Sequence, residues 1–130
     1  MSIGKLLRWQ WSGYATYHQQ QGNLMLHIIA VPLFMISTIL LFVGIFRLSI
    51  VILAGAVLGL VVSLFLQGRG HKLEPILTQP FKGPLDFVKR IFLEQWVTFP
   101  RFVLQGRWFR ALRNAEHTGG GRNRQNVPLA

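Results

Sequence analysis

Two long apolar runs lie almost end to end in this chain, and they constrain its fold more than any other feature. Residues 28–46 (IIAVPLFMISTILLFVGIF) are 19 residues without a charge, and residues 50–66 (IVILAGAVLGLVVSLFL) are another 17. Each is about long enough to cross a hydrocarbon core of ~30 Å. Only Arg47, Leu48 and Ser49 separate them, so two helices must fold back on each other. A soluble protein would have to cover both all-apolar helices, and a chain of 130 residues has too little other material to do so. A cleaved leader fits poorly, because the first run begins late and is too long for a signal-peptide core. The expected fold is an all-α integral membrane protein built on a two-span transmembrane hairpin.

Charge orients the hairpin. Fourteen Lys and Arg against four acidic residues give a net charge of +10. Lys5 and Arg8 precede the first span, eleven cations from Arg69 to Arg124 follow the second, and the turn carries only Arg47. The positive-inside rule then places both termini in the cytoplasm. So few acids leave most cations facing something outside the chain, and anionic membrane lipid supplies it. Nucleic acid is not needed, and no recognition helix or stacking motif argues for it. The chain has no cysteine, which excludes disulfides, thiolate metal sites, iron–sulfur clusters and a cysteine nucleophile.

The rest of the chain reads as one membrane domain, residues 1–114, with a flexible polar tail at 115–130. Residues 2–21 mix Trp9, Trp11, Tyr14 and Tyr17 with Lys5, Arg8 and several Gln, the composition of an interfacial amphipathic helix. Gly22 and Asn23 form a break and an N-cap ahead of a span at about 24–46, which Pro32 should kink. The second span, about 50–67, carries Gly55 and Gly59 at GxxxG spacing. That spacing favours close contact with the first span and also admits a homo-oligomer. Gly68, Arg69 and Gly70 end this span. Surface helices follow at about 85–99, where Leu85, Val88, Phe92, Trp96 and Phe99 share a face and Asp86, Arg90 and Glu94 share another. A last helix at 100–113 starts at Pro100.

The chemistry rests on histidines. His27 lies in the first turn of the first span and His71 just past the second, so an antiparallel hairpin carries both to one membrane boundary. The break at Gly22–Asn23 lets His18 join them. Glu74 follows His71 by three residues. Three imidazoles with a nearby carboxylate form a candidate metal site, suited to zinc or non-haem iron. His27, near a helix N-terminus, is held neutral by the dipole, as a ligand must be. His117 falls in the tail, outside this group. Ser12, Ser37, Ser49 and Ser63 sit in no nucleophile-elbow context.

The stretch from Tyr14 through His18, Asn23 and His27 to Pro32, followed after the second span by Gly70, His71, Glu74 and Pro75, resembles a known pattern. It is similar to the motifs of the Mpo family, membrane-embedded Fe(II)-dependent 2-hydroxy fatty acid dioxygenases, over roughly residues 14–75. The resemblance implies an iron-dependent dioxygenase that uses O2 to convert a 2-hydroxy fatty acid into a fatty acid one carbon shorter. It implies Fe(II) on His18, His27 and His71, with Glu74 and Asn23 orienting the imidazoles. Arg69, Lys72 and Lys82 are the cations near the loop that would hold the substrate carboxylate. The reading from another class is a non-enzymatic membrane scaffold that binds a partner or anionic lipid through its basic surface helices, with no need of metal.

Overall fold

The computed structural model describes residues 2–125, and side chains from residue 2 to residue 117. All regular structure among the described residues is helical. Helix α1 spans Ile3–Tyr14, with the Ser2 hydroxyl accepting from the Lys5 N–H at 3.3 Å as its cap. The chain then turns through residues 15–20 before α2, Gln21–Phe46. The break therefore comes earlier than Gly22–Asn23, and Asn23 is a helical residue rather than the cap. The cap is Gln20, whose side-chain oxygen accepts from the Asn23 N–H at 3.0 Å. The cause is tertiary. The Glu74 carboxylate reaches the head of α2 and takes the N–H groups of Gln19 and Gln20, both at 2.9 Å, where helix-start donors lack partners.

Helix α2 runs through Pro32 without a break and ends at Arg47, where Leu48 turns in the left-handed region (φ 52°). Ser49 caps α3, Ile50–His71. The two helices pack along each other in the largest interface of the fold. A Cβ at Gly59 would collide with Ser37, so that glycine serves the α2–α3 contact, while Gly55 faces open space. Ser63 Oγ donates to the Ala30 carbonyl at 2.6 Å across the same seam. Gly68 and Gly70 do not end α3; it continues to His71, because Gly70 lets the helix pass close to Asn23, where a Cβ would clash. Both helices are long and apolar enough to cross a membrane. Only 33% of the apolar window of α2 and 17% of that of α3 are buried. Their outer faces present Ile39, Phe42, Leu58, Val61 and Phe65 in the open, whereas a core helix of a water-soluble fold buries such residues.

The remainder forms a bent strut against this pair. Helix α4 (Pro84–Leu93) passes into a π-helical turn at Glu94–Thr98 and then into α5 (Phe99–Leu104). Pro100 therefore does not start a separate helix. It lacks an N–H, and its ring would strike the Trp96 carbonyl in an ordinary α-turn; the wider π turn just before it relieves that clash. The extra residue also changes the helix phase. Leu85, Val88, Phe92 and Trp96 stay at the surface, while Phe99 rotates into the core. The chain breaks at Gln105–Gly106 instead, with Gly106 at φ 74°. Helix α6 then runs Arg107–Gln125, past residue 113 and through the first part of the expected tail; residues 126–130 lie outside the described residues. Tyr14, Leu24, Val31, Phe99, Phe102 and Trp108 make the buried core. The Trp108 indole N–H satisfies the Leu24 carbonyl at 3.0 Å.

Candidate metal centre

The core ends in a polar pocket of four side chains from four parts of the chain. His18 comes from the turn after α1, His27 from α2, His71 from the last residue of α3 and Glu94 from the start of the π turn. Their donor atoms all lie within 4.8 Å of one another. The three imidazoles are mutually equidistant, with ring centroids 4.8–4.9 Å apart and planes crossing at 75–88°.

Backbone contacts decide which nitrogen each ring turns inward. His18 Nδ1 lies 2.7 Å from the Tyr14 carbonyl, and His27 Nδ1 lies 3.0 Å from the Asn23 carbonyl. A carbonyl only accepts, so both Nδ1 atoms carry the proton and both Nε2 atoms keep a lone pair. Those two Nε2 atoms and His71 Nδ1 are buried without a hydrogen-bond partner. Glu94 Oε1 stands 3.7 Å from His18 Nε2 and 3.8 Å from His27 Nε2, and accepts from the Tyr14 hydroxyl at 3.0 Å. The lone pairs of His18 and His27 thus face a carboxylate oxygen, and each buried ring nitrogen left unmatched costs about 1–3 kcal/mol. A cation with bonds of roughly 2.0–2.2 Å to nitrogen and oxygen satisfies all four. The donor set fits a divalent ion: neutral imidazoles plus one carboxylate, with no sulfur.

Electrostatics keep His18 in the right form. Burial lowers its pKa to about 4, outweighing the opposing pull of the Tyr14 carbonyl and Glu74, so the ring is neutral at pH 7. The Tyr14 ring stacks on it at 3.9 Å with planes 16° apart. Burial first, then the Glu94 charge and hydrogen bond, raise the Tyr14 phenol well above its ordinary value. It remains a donor at any physiological pH.

The structure separates residues that the sequence grouped together. His18, His27 and His71 converge as the hairpin argument expected. Glu74 lies outside the donor group. Its Oε1 accepts from Gln19, Gln20 and the Asn23 side-chain amide (2.8 Å), so it holds the turn that carries His18. Asn23 orients His27 through its carbonyl and ties Glu74 with its amide. Arg69, Lys72 and Lys82 are exposed, and none lines a described cavity. His117 is exposed on α6, away from the group. Glu94 was missed because it reads as the third member of the Asp86–Arg90–Glu94 surface series. In fact Asp86 pairs with Arg90 at 3.5 Å, while Glu94, one helical step further on, meets the Tyr14 hydroxyl inside the fold. The available signal was scarcity: only four acids occur in the chain.

Two cavities border the centre. The larger, about 730 Å³, lies beside the α1–α2 turn and α6, where Arg107 and Arg110 line it and His18 alone of the four site residues reaches it. The smaller, about 320 Å³, is lined by His18, His71 and Glu94 together, with Tyr14, Gln67 and Phe81. Comparison of the chain with protein-family models, curated proteins and solved structures finds no match.

Proposed function

We propose that this chain is an integral membrane, Fe(II)-dependent dioxygenase that shortens 2-hydroxy fatty acids by one carbon. The observation that carries the reading is the convergence of three unpartnered imidazole nitrogens and the Glu94 carboxylate beside a cavity. The likeness of residues 14–75 to the 2-hydroxy fatty acid dioxygenases supplies the substrate class. In this reading α2 and α3 cross the bilayer, both termini are cytoplasmic, and the centre sits at the cytoplasmic boundary.

The reaction balances with O2 as the only oxidant. The C1–C2 bond of the 2-hydroxy acid breaks, C1 leaves as CO2, and C2 becomes the new carboxyl carbon. The four electrons released reduce O2, whose atoms end in the new carboxyl group and in one water. Iron(II) on His18, His27, His71 and Glu94 would supply the one-electron chemistry that brings O2 into reaction. The residues do the rest. The Tyr14 carbonyl and the Asn23 carbonyl fix the tautomers of His18 and His27. The Tyr14 hydroxyl keeps a proton on Glu94 Oε1's open side and so holds that oxygen in place. The buried Phe102 and Phe99 rings stand 6.5 Å from the His18 ring and 6.0 Å from the His27 ring and give the imidazoles apolar neighbours.

Metal analysis of the detergent-purified protein, followed by turnover of a long-chain 2-hydroxy acid under O2, tests the reading. The expected result is near-stoichiometric iron, a product one carbon shorter, and loss of both in His18→Ala, His27→Ala and His71→Ala proteins that still insert into membrane. A metal-free wild type, or full turnover by the three variants, would falsify it. The scaffold reading would then stand, carried by a basic surface in which Arg101 and Arg107 bracket the Trp11 ring at 3.9 and 4.6 Å.

A further inference from the structure

The smaller cavity is closed on one side by α1 and by the loop at 78–81, and its two remaining walls share a logic. On α3, Leu64, Gly68 and His71 line it, at the i, i+4, i+7 spacing of one helix face that ends at the metal centre. On the other side Phe87, Ile91 and Glu94 line it at the same spacing, again ending at the centre. Helix α3 makes its extensive interface with α2 and none of comparable size with α4, so these two walls face each other across the cavity.

Gly68 belongs to a second stripe as well. Leu58, Val61, Phe65 and Gly68 follow at 3-4-3 spacing, and the three apolar side chains of that stripe are all exposed. At Gly68 the outward-facing stripe and the cavity-facing stripe cross. A Cβ built there meets no atom within 4 Å, so this is an open gap rather than a packed seam.

Volume shows what can occupy the gap. At about 30 Å³ for each water-sized group, 320 Å³ holds on the order of ten non-hydrogen atoms. That covers a 2-hydroxy carboxyl head and a few more carbons, not a long acyl chain. The remainder of such a chain must lie outside, and at exposed Gly68 the cavity lining adjoins the apolar stripe of α3.

We infer that a single-chain lipid reaches the metal centre sideways from the bilayer, between α3 and α4 and across Gly68, leaving most of its tail against Leu58, Val61 and Phe65. The identity of its head group rests on the oxygenase reading; the route does not. The larger cavity is the competing route. It is open to the basic helix α6 and touches only His18 of the four site residues.

The test uses the full-length protein in phosphatidylcholine nanodiscs with 2-hydroxyhexadecanoic acid bearing a mid-chain diazirine. Photolabelling should fall on peptides covering residues 58–71 and 84–93. Gly68→Trp and Ile91→Trp should each cut that labelling at least tenfold while iron content stays at the wild-type level. Labelling concentrated on α6 and the 15–21 turn, or undiminished in both Trp variants, overturns the route. If either variant loses its iron, the label position in the wild type decides alone. A wild type that labels on α3 and α4 yet turns nothing over keeps the route and loses the oxygenase; the reverse pattern keeps the oxygenase and loses the route.

Discussion

Gln67 and Gln95 exchange two side-chain hydrogen bonds, at 2.8 and 2.7 Å, and so lock the π turn to α3 one residue away from Glu94. Gln67 also donates to Ser63 Oγ at 3.1 Å, whose hydroxyl reaches the Ala30 carbonyl, so the lock extends into α2. Both amides are buried, and in a low-dielectric seam such a pair matters most when it is broken. Gln95→Ala leaves buried Gln67 Oε1 without its donor and should cost about 1–3 kcal/mol. A double-mutant cycle on thermal unfolding in detergent should show the double variant less destabilised than the sum of the singles. Metal affinity should fall with either single change, because the phase of Glu94 is no longer held. Strict additivity would show that the two amides act independently.

Glu94 and Glu74 should separate on substitution. Glu94→Gln replaces the carboxylate of the candidate metal centre with a neutral amide and should lower metal affinity by more than ~100-fold, beyond the range for residues that only orient a ligand. Glu74→Gln weakens the turn that carries His18 and should cost roughly 10–100-fold, the range for residues that orient a ligand. Titration of metal into each apo-protein reads both. The opposite ranking would make Glu74 the ligand.

Two glycines of α3 predict opposite results. Gly70→Ala places a methyl group against Asn23, 3.3 Å from its Cα, and should destabilise by about 1–3 kcal/mol while disturbing the His27 tautomer. Gly55→Ala meets nothing within 4 Å and should be neutral or stabilise by up to about 1 kcal/mol through helix propensity. A destabilised Gly55→Ala protein would point to a second chain packed on that face.

Acid should destabilise the metal-free protein through His18. Its folded-state pKa is lowered from 6.5 to about 4, chiefly by burial, so protons bind the unfolded chain more readily. The contribution is whole above pH 6.5 and is lost as pH falls toward 4, at up to about 1.4 kcal/mol for each pH unit. Thermal midpoints of the apo-protein at pH 7.5, 5.5 and 4.5 should fall accordingly, and less steeply for His18→Gln. A midpoint unchanged between pH 7.5 and 4.5 would remove His18 from the buried, neutral state.

The charge asymmetry predicts topology. Reporter fusions after residue 48 and after the C-terminus should report opposite sides of the membrane, since eleven plus two cations flank one end of the apolar pair and one cation flanks the other. Matching signals would rule out a two-span hairpin.

Helix type, the helical pair and the nearness of His27 to His71 could be read from the residues, because hydrophobic period and a three-residue turn are local properties. The register of everything else depended on distant partners. The turn before α2 sits at residues 15–20 because Glu74, 54 and 55 positions downstream, takes the free N–H groups of Gln20 and Gln19. Glu94 keeps the α-helical register of α4, its N–H reaching the Arg90 carbonyl, and it faces inward where Tyr14, 80 positions upstream, holds it; the π turn that starts there carries Phe99 into the core. A periodic pattern specifies which face of a helix is apolar, but an inserted residue shifts that face by about 100°. Whether the insertion forms depends on what waits on the far side, here a buried glutamine on α3 that pairs with Gln95.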